Sequence, residues 1–596
     1  MEISLFSASA VFQGALPHPV FIMTSLGPIF ADDLARVKPG DRLRLTISAQ
    51  TSDAAALAQA ALEARARGER VLVVCADPAD VPRLAQEMPW FEPNLDVRPL
   101  PDWETLPYDV LSPQEELVSE RLEALYRLTA PTGGADVLLT SAVTASQRLS
   151  PVSYIGANTF FFHQGEQISL TTLQKRLAAA GYANVKQVLA AGEFAVRGSI
   201  VDVFPMGSER PFRLDFFDDE IESIRWFDVD TQRSMESAEE IRLLPGHEFP
   251  VDPEALLAFR QRWRREFAGD PKKSIVYCDI EKEILPPGIE YYLPLFFDET
   301  AALTDYLPPN ARVFLLGDIE AALQAFGRDM ASRYKVLAAD PQRPALAPER
   351  IWLKPEEFFK SLANFARFTV EKKENAEDLK CLSGIEVDRK SQNPVGKLLE
   401  RTRESAMKGV RTLIAAPSAG RMETMSQLLR TGGLSVEEFS DWQTFLEADS
   451  SLGISAAPLF SGAVFHHPEI VILSEAELYA ASPRRHRLRR VKHATTLEMM
   501  VRDVAELKPG DAVVHADHGI GRYQGLVHME TPDGDAEFLE ITYKNDAKLF
   551  VPITNLQLIS RYAGADPEHA PLHQLGRGDW EKAKRKAAQE VRDTAA

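Results

Sequence analysis

The sequence predicts a multidomain chain of α/β and α+β units that ends in a small β-barrel and a helix. Three observations predict it. At 596 residues the chain is far longer than one hydrophobic core can serve, so about four packed domains are expected. Two stretches carry the order apolar strand, polar loop, helix, apolar strand, which is the pattern of parallel α/β units. Between and after them lie short alternating strands broken by Gly, Asp, Asn and Pro, which read as antiparallel β-structure.

Bulk properties narrow the function classes. Hydrophobic residues make up 45% and charged residues 26%, so packed domains fill most of the chain. A formal net charge of -20 excludes a protein that holds nucleic acid over its whole surface, because phosphate binding needs dense Lys/Arg fields. Any DNA contact must be local; the one basic stretch, Arg484 to Lys492, reads first as a solvated interdomain linker. Cys75, Cys278 and Cys381 lie about a hundred or more residues apart, which suggests neither a disulfide framework nor a zinc cluster and fits a reducing, cytoplasmic compartment. No apolar run reaches the roughly 20 residues that cross a bilayer, so no membrane partner is expected. Residues 1–25 lack a basic n-region and read as an extension, not a secretory signal.

The elements follow in order. Residues 26–158 hold the first part of a degenerate nucleotide-binding α/β domain: Arg44 to Cys75 reads strand, loop, helix, strand, and Asp136 to Thr140 is a further parallel strand. A phosphate loop needs glycines and a Lys followed by Ser/Thr. Ser48 to Asp53 supplies none of these, and Asp53 would repel a phosphate. Ser52 or Asp53 reads instead as a helix N-cap. Residues 159–236 form an inserted α+β domain in which FRLDFF and IESIRWF flank the acidic turn Asp218, Asp219 and Glu220 as a β-hairpin. Residues 237–365 mix helix and strand signals with the aromatic-rich loop Ile289 to Phe297, and 366–480 repeat an α/β pattern, with strands at Arg411 to Pro417, Ser435 to Phe439 and Glu469 to Glu475. After the linker at 481–500, residues 501–572 offer five short strands joined by tight turns, which fit an SH3/Tudor-like barrel. His515, Asp517 and His518 invite a metal reading, but alternation sends neighbours to opposite faces, so a structural role is expected. Residues 573–596 begin a helix with no glycine cap.

Resemblance to a known family is carried by PGDAVVHADHGIGRY, KLFVPITNLQLISRY and APLHQLG, with GEFAVRGSIVDVFPMGSERPFRLDFFDDEIESIRWFDVDTQR upstream. These resemble the amino-terminal part of the bacterial transcription-repair coupling factor (Mfd) family: a UvrB-like module followed by a CarD-like domain that binds RNA polymerase. The resemblance runs from about residue 30 to the end. It implies a nucleotide excision repair factor whose inserted domain docks UvrA through Arg197, Arg213 and Phe217, and whose barrel grips the RNA polymerase β subunit by strand addition near Leu526, Met529 and Glu530. It also implies that the ATP- and Mg-dependent translocase motor, with most DNA contacts, lies beyond residue 596, so no catalytic, cofactor or metal residue is assigned here. Two alternatives stand beside this reading: a CarD-like transcription regulator without a repair role, and a cryptic nucleotidase in the α/β units. At the inserted domain the competing reading packs Phe217 into the hairpin and uses both arginines to neutralise the acidic turn.

Overall fold

The structure, a computed structural model, describes residues 22–23, 36–50, 52–130, 134–229, 231–388, 391, 393–466, 469–479, 510–515, 519–531, 534–544, 547–552, 559–561 and 572. The basic stretch 484–493, the helix expected at 573–596 and most of the extension at 1–25 lie outside the described residues. The chain divides into two compact units, Met1–Ser482 and Pro483–Ala596.

The first unit is organised by a seven-stranded parallel sheet. Its strands are, in spatial order, Ile22–Met23, Arg42–Ser48, Ala366–Lys373, Arg312–Leu316, Val71–Cys75, Val137–Ser141 and Val97–Pro99. Val71–Cys75 and Val137–Ser141 are buried along their whole length, as strands covered on both faces must be. Alternation divides their side chains between two cores. Leu72, Val74 and Leu138 meet Leu122 and Leu125 of helix Glu115–Thr129, while Val71, Val73, Val137 and Leu139 meet Leu57 of helix Asp53–Ala66 and Leu84 of helix Asp80–Phe91.

Strand Ala366–Lys373 lies past the expected boundary at 365, yet it sits inside this sheet between Arg42–Ser48 and Arg312–Leu316. Its charged end hid it from the periodicity, and its sheet partners are far away in sequence. The aromatic stretch expected as a loop, Ile289–Leu295, is instead a buried 3-10 segment. Its Tyr291 and Tyr292 pack with Trp263, Tyr277 and Trp352 in a third core. Arg121, wholly buried, ties these parts together: its guanidinium is paired with Glu248 and donates to Gln147 Oε1 at 3.0 Å and to the Pro101 carbonyl at 2.7 Å.

The insertion leaves and rejoins the parent domain through the antiparallel pair Phe160–His163 and Glu240–Leu243. Its own sheet has six strands in the order Ser234–Ala238, Glu220–Phe227, Phe212–Phe217, Ile200–Val203, Glu193–Arg197 and Ala183–Asn184. One face buries Phe212, Leu214, Phe216 and Ile224 against Leu173 and Leu177 of helix Leu170–Ala179. The predicted hairpin is present, with Asp218 at φ 52 in its turn.

A second, five-stranded sheet follows, in the order Glu437–Phe439, Leu452–Ala456, Arg411–Ala416, Glu469–Ser474 and Ala463–His466; the last pair is antiparallel. One of its faces shares a core with the first sheet through Leu413, Phe439, Trp442 and Phe445.

The second unit holds five antiparallel strands in the order Lys548–Pro552, Gly534–Thr542, Gly519–Thr531, Ala512–His515 and Ile559–Arg561. Val513, Tyr523, Leu539, Ile541, Tyr543 and Val551 form its core. Gly521 is required there, because a Cβ would lie 2.6 Å from Ile541 and 3.1 Å from the Tyr543 ring.

Candidate interaction surfaces

Three places were singled out by sequence. The first is the strand-loop-helix junction where a nucleotide fold holds its phosphates. Ser52 is the N-cap, its hydroxyl accepting from the Ala55 N–H at 3.2 Å. Asp53 is 3% exposed and meets Arg83 in a two-pronged pair at 2.9 and 2.8 Å, with Lys372 Nζ at 2.7 Å. Burial pushes the Asp53 carboxyl up, but the charges of Lys372 and Arg83 outweigh it and hold it down at about 2. Arg83 is also paired with Asp80 and Glu87. The cations that could attract a phosphate are thus already engaged by carboxylates.

The second sheet closes the same junction. The Val464 N–H donates to the Gln50 carbonyl at 2.8 Å, and the Phe460 N–H to Glu87 Oε1 at 3.1 Å. Trp90 Nε1 donates to the Ala456 carbonyl at 3.2 Å, beside the rings of Phe91, Trp442 and Phe465. These residues do not fit a bound nucleotide.

The second place is the outward face of the inserted sheet. Arg213 and Asp202 are directly paired across neighbouring strands, and Arg197 lies one pleat along on the next strand. Asp202 is 1% exposed. Its Oδ1 accepts from Arg213 Nε at 2.7 Å and its Oδ2 from Arg213 Nη2 at 3.0 Å, and Arg197 Nη2 also pairs with Oδ2. Arg213 Nη1 donates to the Gln232 carbonyl and to Ser234 Oγ, and its guanidinium lies 5.0 Å over the Phe227 ring. Both arginines therefore pair with Asp202 and not with the acidic turn. Phe217, on the same face as Arg213 by strand alternation, is 69% exposed and does not pack into the hairpin.

Exposure separates the two arginines: the Arg213 side chain is 14% exposed, a strut, whereas that of Arg197 is 47% exposed. Asp202 went unnoticed in the sequence because a lone carboxylate in IVDV reads as a solvent-facing strand residue. The signal was there, since Val201 and Val203 point into the core and place Asp202 on the arginine face.

The third place is strand Gly519–Thr531, where Leu526 faces Leu539, Met529 faces Ala536 and Glu530 faces Asp535 in backbone register. The side chains of Leu526, Met529 and Glu530 lie outside the described residues, as do Asp517 and His518. His515 is buried, and among the described residues no group of His, Cys, Asp and Glu could hold a metal ion. No helix among them is long and apolar enough to cross a membrane.

Comparison with known proteins follows these features along the chain. Residues 160–249 match the family model "UvrB interaction domain", residues 406–478 match "MFD, D3 domain", and residues 507–563 match "CarD-like/TRCF RID domain". The transcription-repair-coupling factors of Escherichia coli K12 and Haemophilus influenzae are each 38% identical to the chain over 536 residues, covering 88% of it and 46% of the relative. The chain belongs to the transcription-repair-coupling factor family. A more distant member, from Myxococcus xanthus, is 29% identical over 532 residues. The chain spans just under half the length of the curated relatives it matches. Within the family frame, the interaction-domain match takes in the Arg197–Asp202–Arg213 cluster and Phe217, the D3 match covers the second sheet, and the RID match covers all five strands of the second unit.

Proposed function

We propose that this chain is the docking half of a transcription-coupled nucleotide excision repair factor. The inserted domain recruits UvrA, the second unit grips the RNA polymerase β subunit, and the parallel sheets connect the two without nucleotide chemistry. The observation that carries this reading is one chain bearing a UvrB interaction domain and a CarD-like/TRCF RID domain, the former presenting an exposed aromatic and a half-exposed guanidinium on one sheet face. Aromatic and arginine side chains are the ones that most often anchor an interface.

On the polymerase side the five strands of the second unit act as an SH3/Tudor-like barrel. Strand Gly519–Thr531 supplies main-chain groups for strand addition, with Leu526, Met529 and Glu530 setting the register. The ATP- and Mg-dependent DNA translocation that the family resemblance implies, with most DNA contacts, is not assigned to this chain. No catalytic residue, cofactor or metal is assigned to this chain, and the setting is the cytoplasm. The Asp53–Arg83–Lys372 network argues against a cryptic nucleotidase.

The test is capture of purified UvrA and, separately, of polymerase β by this chain without ATP or DNA. Both should bind; Phe217→Ala should abolish the first and leave the second. Polymerase binding with no UvrA binding under any condition would favour a CarD-like regulator without a repair role. ATP turnover that scales with the chain and changes with Asp53 would favour the nucleotidase.

A further inference from the structure

The docking face raises a problem of charge. Two guanidiniums lie side by side on one face of the inserted sheet, and cations placed so closely repel each other and sample several rotamers unless something holds them. Arg197 and Arg213 come from strands Glu193–Arg197 and Phe212–Phe217, which are not adjacent; Ile200–Val203 runs between them. The residue of that middle strand that faces Arg213 is Asp202, and the next row on the same face, two residues along, pairs Arg197 with Ile200. The carboxylate is thus the only described group hydrogen-bonded to both arginines.

The hydrogen bonds divide the labour. Arg213 is committed on Nε, Nη1 and Nη2 to groups of the inserted domain, Asp202, Gln232 and Ser234. Little of its guanidinium is left for a partner. Arg197 is held to Asp202 through Nη2, and its side chain is 47% exposed. A planar fork fixed at one corner and open at another is pre-ordered for a carboxylate from outside, since less rotamer freedom is lost on binding. Asp202 offsets one of the two guanidinium charges that it binds; Arg225, directly opposite Arg213 in register, and Asp215, in the row of Arg197, add one charge of each sign to the same face, and the half-exposed Arg197 guanidinium presents its own charge to solvent.

We propose that Asp202 is a positioning residue of the UvrA-docking face: it makes no contact with the partner, but presets the Arg197 guanidinium by neutralising and bracing it against Arg213. The chemistry it prepares is recognition of an acidic side chain on the partner, beside an apolar recess for Phe217. This inference rests on the reading of the inserted domain as a UvrA-docking module, and the experiment keeps the two apart.

Binding of UvrA by the whole chain is measured for wild type, Phe217→Ala, Arg197→Ala, Asp202→Asn and the Arg197→Ala/Asp202→Asn double variant, with each melting temperature. Wild-type binding lost in Phe217→Ala establishes the docking reading; no binding by wild type overturns that reading. Given binding, Asp202→Asn should weaken it about tenfold, as Arg197→Ala does, and the double variant should be no weaker than Arg197→Ala alone. Labelling by phenylglyoxal, read by mass spectrometry on the free chain, should rise at Arg197 in Asp202→Asn. If Asp202→Asn fails to fold, Arg213→Lys replaces it, because a lysine keeps the charge but cannot make the two-pronged pair. Losses that multiply in the double variant, or binding unchanged in Asp202→Asn, would overturn the assignment.

Discussion

Replacing Asp53 by Asn should destabilise the first unit without creating a nucleotide site. The carboxyl sits at about 2 instead of its ordinary 3.8, which corresponds to about 2 kcal/mol of stabilisation at neutral pH. Removing one member of a buried ion network costs about 3–5 kcal/mol when the remaining charge is stranded. Arg83 keeps Asp80 and Glu87 and the Lys372 side chain is 38% exposed, so neither cation is stranded and the cost falls to the bottom of that range or below it, about 2–3 kcal/mol.

For a unit of this length, Met1–Ser482, that corresponds to a fall of about 2–3 °C in the first unfolding transition. Tryptophan fluorescence reports it well, because Trp90 and Trp442 pack 5.8 Å apart where the two sheets meet. The sign with pH is a second check. A carboxyl whose value is lowered by folding stabilises fully above its unfolded value and loses that contribution as pH falls from about 4 to 2. The gap between wild type and Asp53→Asn should therefore be widest at neutral pH and close near pH 2. Equal melting temperatures at pH 7, or ATP binding gained on losing Asp53, would refute the view that internal charges replace the phosphate.

Other outcomes follow from the same physics. Phe217→Ala should leave the melting temperature within the small range of surface changes, about 0.5 kcal/mol, while UvrA capture drops at least tenfold in a binding titration. Arg121→Met strands the buried Glu248 and should cost about 3–5 kcal/mol, seen as loss of soluble chain or an early melting transition. His247, its ring stacked on Phe249, is pushed down to about 4 by burial, so wild-type stability should fall as pH drops from about 6.5 to 4. In His247→Phe that slope should be absent from pH-dependent melts. Gly521→Ala drives a methyl into Ile541 and should loosen the second unit by about 1–3 kcal/mol, lowering polymerase capture and leaving UvrA capture intact.

Much of this was legible in the residues, for reasons that differ by element. VLVVC and VLLTS announce buried parallel strands because both faces are covered, so no polar residue interrupts them. FRLDFF and EIESIRWF announce a hairpin because one face is wet and the acidic turn tolerates positive φ. ARFTVEKK falls beyond the expected boundary because its pairing with Arg42–Ser48, more than three hundred residues away, leaves no local trace. LGISA escapes because Gly, Ser and Ala dilute a short apolar run, and AVFH because four residues are too few to show a period. Arg197, Arg213 and Phe217 are named by the family resemblance, but which arginine is buried and which is exposed is not legible in the residues. One residue's exposure in three dimensions has no sequence period of its own.

The central claim is that a single chain carries two independent docking faces. Sequential binding on a surface measures it most directly: the chain is immobilised, saturated with the polymerase β subunit, and then offered UvrA, all without ATP or DNA. UvrA is expected to bind the loaded chain, and Phe217→Ala to remove this second step alone. Failure of UvrA to bind the chain in either the free or the loaded state would contradict it.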